Sequence, residues 1–427
     1  MMKGKVIRMD KYRKLIIGCD LCEDFTQVSC YSYKQHEPII ISDKSNDNGL
    51  IPTVLCVKHD TKQWLFGEEA LSCAFENEGI LIDNILAKIK SGEETTIYNH
   101  TFTGMDLLEK FLRKSLMLVK NYFPTEPITK IVVTMSNSEP YMVNAIYEAL
   151  YLLGIDKDRA VVISHGGVYM YYALCQDKIL WMNDVGLFDF DDTGLNYYQI
   201  HINRSSRPAV VGLLKKDLSD TLTIDMLEKK NIDLGYVFHN VADRILYKQI
   251  ISTLYFTGKG FKGNWAEETI QSLCKGRRAF IGHNLYTKGA CYAAKELSGD
   301  RELSDYILLN EEMITSSIGI RVYKDGKIKE VLIREAAVEW YMVDHNIEVI
   351  LDDETEINLI LKNIMTKEVV REKLVLNQLP ERPNRMTRLD IHIVCLNNSQ
   401  LKVDISDLGF GELYPPSGQV WEYVLEI

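Results

Sequence analysis

The chain has 427 residues, 46% of them hydrophobic, enough for two or three domains with real cores and too apolar for a disordered protein. Its net charge of -11, with the basic residues scattered, offers no electrostatic footprint for nucleic acid or an anionic membrane, so neither is expected as a partner. The opening MMKGKVIRMDKYRK lacks the apolar core of a secretory signal, and no run of about 18 apolar residues occurs anywhere. Nine cysteines, mostly inside apolar segments, read as reduced core residues, and the expectation is a cytoplasmic protein.

Taken in chain order, LIIGCD (15–20) predicts a short buried strand and FTQVSCYSY (25–33) an alternating one, together a β-hairpin. Cys19 and Cys22 have no second pair at metal spacing, so they read as a reduced structural pair rather than a zinc or redox site. A helix follows over 105–123, a strand over 130–135, a helix over 139–154 ending at Gly154, a strand over 160–164 and an aromatic core helix over 166–175. LFDFDDTGLNYYQIHIN (187–203) then repeats the opening design, so that Asp20 and Asp189 both end a buried strand where a hairpin begins. This reads as an internal duplication. Three carboxylates on one turn, Asp189, Asp191 and Asp192, repel one another and call for a cation, a proton or solvation. Helices are predicted over 217–230 and 235–251, a strand over 252–258, a helix over 264–274, a strand over 278–282 and a helix over 285–297. Such alternation implies sheets with helices packed on them, in two related lobes. Beyond Asp300, YILLNEEMITSS (306–317) reads as a linker, and the turns YKDGK, LDDET, LNNSQ and PPSG mark the hairpins of an all-β sandwich, with Trp421 sealing it.

Two hairpin-led α/β lobes, a linker and a β-sandwich resemble the layout of DnaK-type heat-shock chaperones, in the actin-like ATPase superfamily with its ribonuclease-H-like lobes. The resemblance covers nearly the whole chain. IIGCDLCEDFTQVSCY looks like the first phosphate loop, LFDFDDTGLNYYQIHI like the second, and YFTGKGF like the adenosine-contacting glycine turn. IPTVLCV with WLFGEEAL, LYTKGACYAA, YILLNEEMITSSIGI and QLKVDISDLGFGE resemble further family segments in the same order. The resemblance implies a nucleotide-binding domain over 1–304 with a reduced second-lobe subdomain, a linker over 305–314, and over 315–427 a β-sandwich like the peptide-binding domain. It implies ATP or ADP with magnesium as cofactor, with Asp20 and Asp189 holding the ion through water and Thr193, Gly194, Gly258 and Gly260 around the nucleotide. Lys88 is a candidate for the family's catalytic lysine.

The departures bear on function. In the family, glycines let backbone N–H groups approach the phosphates. Here Cys22, Glu23, Asp24 and Phe25 stand in the first loop, and Asp191, Asp192 and Thr193 replace three glycines of the second. The family glutamate that positions the attacking water falls in Ser164-His165-Gly166-Gly167, where it is missing. His165 reads as a core or surface histidine, or as a base. The segment that would sandwich the adenine is short, and no helical lid follows the sandwich. Because phosphoryl transfer depends on positioning and charge stabilisation, these changes imply a degenerate site with absent or very weak ATPase activity. The expected role is a protein-binding scaffold that holds other proteins or peptides through the sandwich. Two alternatives stand beside it. One is an active magnesium-dependent ATPase or chaperone with an altered phosphate site. The other is a phosphatase using Asp189-x-Asp191-x-Thr193, with Asp189 as nucleophile, Asp191 as general acid/base, Thr257 and Lys259 downstream, and Asp352-Asp353 as the remaining acid pair.

Overall fold

The computed structural model describes residues 14–42, 49–136, 138–229 and 232–427. The charged opening up to residue 13, expected not to be a secretory signal, lies outside them. LIIGCDL is apolar on both faces and forms the strand Leu15–Leu21, buried at every position. It can be buried on both sides because Ile128–Met135 pairs with it in parallel and Phe25–Ser32 pairs antiparallel. The sheet runs Ala160–Ser164, Ile128–Met135, Leu15–Leu21, Phe25–Ser32, Glu37–Ile41. A second sheet repeats the design: Arg278–Ile281, Ile251–Thr257 and Asp184–Asp191 lie side by side in parallel, followed by the strand that begins at Gly194. Asp20 and Asp189 therefore occupy equivalent ends of equivalent strands.

Helices cover these sheets for local reasons. Gly104–Tyr122 starts at a reciprocal cap between Thr103 and Asp106 and buries Leu108, Phe111, Leu112, Leu116 and Val119 on one face. Pro140–Leu152 opens on proline and stops before Gly154, whose φ is 78°. Leu285–Leu297 matches its sequence expectation end to end. It lies against the first sheet so closely that a Cβ on Gly18 would sit 2.4 Å from the Thr287 carbonyl oxygen. A Cβ on Gly289 would sit 2.3 Å from the Val168 carbonyl oxygen, so this helix also crosses His165–Leu174 at backbone contact.

Three expectations need correction. Among the described residues of the helix predicted over 217–230, the helical part is a single 3-10 turn, Ile224–Glu228. Its Thr221, Thr223 and Ile224 are β-branched, and the Leu218 N–H and Leu222 carbonyl are taken by Leu195 at 2.9 and 3.0 Å. The helix expected over 235–251 ends at Leu246, and Lys248 turns the chain at φ 60° into the strand Ile251–Thr257. The expected linker over 305–314 contains the strand Tyr306–Leu309, in parallel register with Ala209 to Gly212. Accordingly the chain divides into two units, 1–197 with 217–303, and 198–216 with 304–427, rather than at a free linker.

In the second unit, two four-stranded sheets are antiparallel throughout. One holds Lys327–Arg334, Ser316–Lys324, Glu356–Asn363 and Val369–Val375; the other holds Asp344–Ile350, Arg388–Asn397, Gln400–Gly409 and Val420–Glu426. Residues of both, including Ile318, Leu359, Ile391, Val403 and Trp421, form one apolar core. The Asp-Gly turn at 325–326 has φ of 52° and 74°, the mirror-image turn that matches hairpin twist. Trp421 closes the core as expected and donates its indole N–H to the Asn377 carbonyl at 2.8 Å.

Candidate functional site

The ends of Leu15–Leu21 and Asp184–Asp191 open on a cavity of about 260 Å³ within the first unit, lined by Asp20, Cys22, Asp24, His165, Asp189, Asp191, Thr193, Lys259 and Tyr286 among others. Each strand-end aspartate meets an aromatic side chain from the first turn of a helix. His165, which opens His165–Leu174, places its Nε2 2.8 Å from Asp20 Oδ1. Tyr286, at the start of Leu285–Leu297, donates its hydroxyl to Asp189 Oδ2 at 2.6 Å. The two rings stack at 3.7 Å between centroids and 11° between planes. Because the helices cross at Gly289, both helix starts reach one point, and Asp20, His165, Tyr286 and Asp189 form a continuous chain.

The three acids of the second turn find three different solutions. Burial pushes the Asp189 carboxyl up to about 6, against the lowering effects of the Tyr286 hydroxyl and of His165. Its Oδ1 is buried without a hydrogen-bond partner. Asp191 is also raised by burial, and accepts the Asp192 N–H at 3.0 Å. Asp192 pairs with Lys259, which also holds Asp24 Oδ2 at 2.7 Å, so one cation joins the two turns that follow the paired strands. The Lys259 hydrogen bond holds Asp24 below its ordinary value. Burial presses the His165 imidazole downward, but Asp20, Asp189 and Asp191 together outweigh it and hold the group above its ordinary value.

The first turn is fixed just as firmly. Thr53 Oγ1 donates to the Cys22 carbonyl at 2.7 Å, and Glu23 accepts the N–H groups of Leu86 and Ala87 at 3.2 and 3.0 Å. Cys22 directs its thiol at Asp20 Oδ1, 3.5 Å away. Cys19 is buried in the strand, and all nine cysteines are free.

Residues 37–311 match the family described as Family of unknown function (DUF5716) C-terminal, and residues 313–427 match a Domain of unknown function (DUF8552). The first match alone spans more than half of the sequence. The chain belongs to the DUF5716 family. No curated protein matches it. Within this DUF5716 chain the Asp20 hairpin precedes the matched span, whereas Asp189, His165, Lys259 and Tyr286 lie inside it.

Of the residues singled out from the sequence, Asp20, Asp189, Thr193 and Gly258 line the cavity. Gly260 and Gly258 are committed to packing. A Cβ on Gly260 would lie 2.4 Å from the Phe190 ring, and one on Gly258 would lie 2.2 Å from the Phe190 carbonyl oxygen. Gly194, at φ 93°, turns the hairpin against Ser219. Lys88 is directed elsewhere, paired with Glu93 at 3.3 Å. Asp189, Asp191, Thr193, Thr257 and Lys259 of the phosphatase reading share the cavity, but Asp352 belongs to the second unit and pairs with Arg385 at 2.9 Å. Tyr286 carried no signal of its own in the sequence, and Lys259 none beyond its place in that motif. The small residues of KGACYAA, which permit the helix crossing, are the one cue that 285–297 approaches the site closely. Among the described residues, no helix is long and apolar enough to cross a membrane.

Proposed function

We propose that this chain is a DnaK-like, actin-like two-lobed protein with a degenerate nucleotide site, acting as a protein-binding scaffold rather than an ATPase. The reading is supported by the repeated strand order, by the equivalent positions of Asp20 and Asp189, and by the crossing helices beneath them. The observation that carries it is the Asp20–His165–Tyr286–Asp189 chain. Each aspartate that would hold magnesium through water already spends an oxygen on a protein donor. Two further features weigh against magnesium nucleotide here. Asp24, Asp191 and Asp192 line the cavity where phosphate would meet them, and Lys259 is engaged between Asp24 and Asp192. Contacts within the chain thus do what bound nucleotide would do, which is to hold the two lobes together.

The scaffold role falls to the antiparallel sheets of the second unit, read as a β-sandwich like the chaperone peptide-binding domain. One outer face carries exposed Tyr323, Ile328 and Leu332 among charged neighbours, a composition suited to protein or peptide contact. Steady-state ATP hydrolysis by the intact chain tests the reading. It should not exceed the buffer blank, whereas turnover abolished by Asp189→Asn would establish an active ATPase. Magnesium-dependent cleavage of a phosphate ester lost in the same variant would replace the proposal with the phosphatase.

A further inference from the structure

We propose that Asp20, Cys22 and His165 form a binding site for one thiophilic divalent cation of the zinc type, in the cavity that the buried carboxylate of Asp189 also lines. One ligand atom from each of the first three residues lies within 4.8 Å of the others. They come from three separate places, a strand end, the turn after it and a helix start, so the convergence is tertiary. Two of them already aim at one atom: the imidazole Nε2 and the Cys22 thiol both approach Asp20 Oδ1, at 2.8 and 3.5 Å. A dication placed among the three atoms would replace both of those contacts, displacing the thiol proton and any Nε2 proton to solvent.

Asp189 Oδ1 supplies the independent observation. Asp189 is only 8% exposed, lines the same cavity, and leaves this oxygen without a hydrogen-bond partner. A buried carboxylate oxygen with no donor is costly; a proton relieves it at low pH, and a nearby cation relieves it where the group is ionised. The Cys22 turn is held by Thr53, the kind of outer support that metal ligands have.

Ligand chemistry selects the ion. Magnesium and calcium take oxygen donors almost alone, whereas sulfur, nitrogen and carboxylate oxygen together suit zinc and its thiophilic neighbours. Tetrahedral donors around zinc lie about 3.3–3.8 Å apart given its bond lengths. The widest separation therefore closes by at most about 1 Å, which Cys22, partly exposed on its turn, can supply, while the 2.8 Å Nε2–Oδ1 pair opens by about 0.5 Å as the ion enters between the two atoms. The inference stands on these contacts and does not rest on the actin-like reading.

The test uses the full chain stripped with a chelator. Zn²⁺ alone is titrated by calorimetry, and Co²⁺ is added while thiolate-to-metal charge-transfer absorption is followed. One ion per chain and a cobalt–thiolate band are expected. Loss of a group supporting a metal ligand costs about 10- to 100-fold in affinity, so loss of a ligand in Cys22→Ser should weaken Zn²⁺ at least that much and remove the band. Cys274→Ser, at an exposed cysteine elsewhere, should leave both unchanged. His165→Gln should weaken binding but keep the band; if that variant fails to fold, Cys22→Ser decides alone, provided its metal-free melt matches the parent. Absence of a stoichiometric ion, or a cobalt–thiolate band that survives in Cys22→Ser, would overturn the proposal, and magnesium displacing the ion would do the same.

Discussion

Asp189→Asn should make the protein more stable near neutral pH. The carboxyl is raised from its ordinary 3.8 to about 6, chiefly by burial. At about 1.4 kcal/mol per pH unit, that difference corresponds to about 3 kcal/mol. The sign follows from proton binding. Between the two values the folded state holds the proton and the unfolded chain has released it, so stability falls as pH rises through this window and the full cost is present above it. Asparagine removes the charge and its Oδ1 can still accept from Tyr286. Its amide, however, adds unpaired donors that cost about 1 kcal/mol or more. The net gain should be about 1–2 kcal/mol near pH 7.5, fading towards about pH 4. Urea unfolding from about pH 4.5 to about pH 8 measures this directly. His165 contributes its own loss of stability, but only as pH rises from its ordinary 6.5 through its raised value, so the two windows separate. A variant less stable than the parent at neutral pH, or a gain constant from about pH 4.5 upward, would refute the reasoning.

Other outcomes follow from the same contacts. Lys259→Met removes a cation shared by Asp24 and Asp192; since all three are partly exposed, the loss should be about 1 kcal/mol or less, shrinking with added salt in thermal melts. Gly260→Ala drives a methyl group into the Phe190 ring, held in an aromatic cluster with Phe261 and Trp265, and should cost about 1–3 kcal/mol by denaturant unfolding. A neutral result would show that the Phe190 ring yields to the methyl group and that the packing argument fails. In the second unit, Arg382 grips Asp407 through two bonds of 2.7 Å, with both side chains buried. Burial alone would raise Asp407, but Arg382 and the N–H groups of Gly409 and Ser417 hold it well below its ordinary 3.8, so its stabilising contribution is lost as pH falls below that value. Arg382→Met leaves this carboxylate without its cation and should cost about 3–5 kcal/mol, read as a lower urea midpoint and earlier acid unfolding.

What was legible in the sequence was local. The apolar run ending at Asp20 and its repeat ending at Asp189 gave both hairpins, and uninterrupted helical periodicity gave Leu285–Leu297 to the residue. What was hidden depended on distant partners. Residues 217–230 carry apolar positions at helical spacing, yet Leu195 takes the Leu218 N–H and the Leu222 carbonyl. Tyr306–Leu309 is a strand only because Ala209 to Gly212, about a hundred residues earlier, offers a parallel edge. The site divides along the same line. Its two aspartates follow from the repeat, but His165 and Tyr286 acquire their roles only where two helices cross at Gly289. The lysine that lines the cavity is Lys259 rather than Lys88, because Asp24 and Asp192 hold it between the two turns while Lys88 pairs with Glu93.

The central claim, that contacts within the chain stand in for nucleotide, is tested most directly by titrating magnesium-ATP into the intact, metal-stripped protein by calorimetry while following its melting temperature. Ligand at 100 times its dissociation constant would stabilise the fold by about 2.7 kcal/mol, a shift that is easily seen. The account predicts no saturable heat and no change in melting temperature at millimolar nucleotide. Saturable, magnesium-dependent binding of ATP that is lost in Asp20→Asn and Asp189→Asn would contradict it.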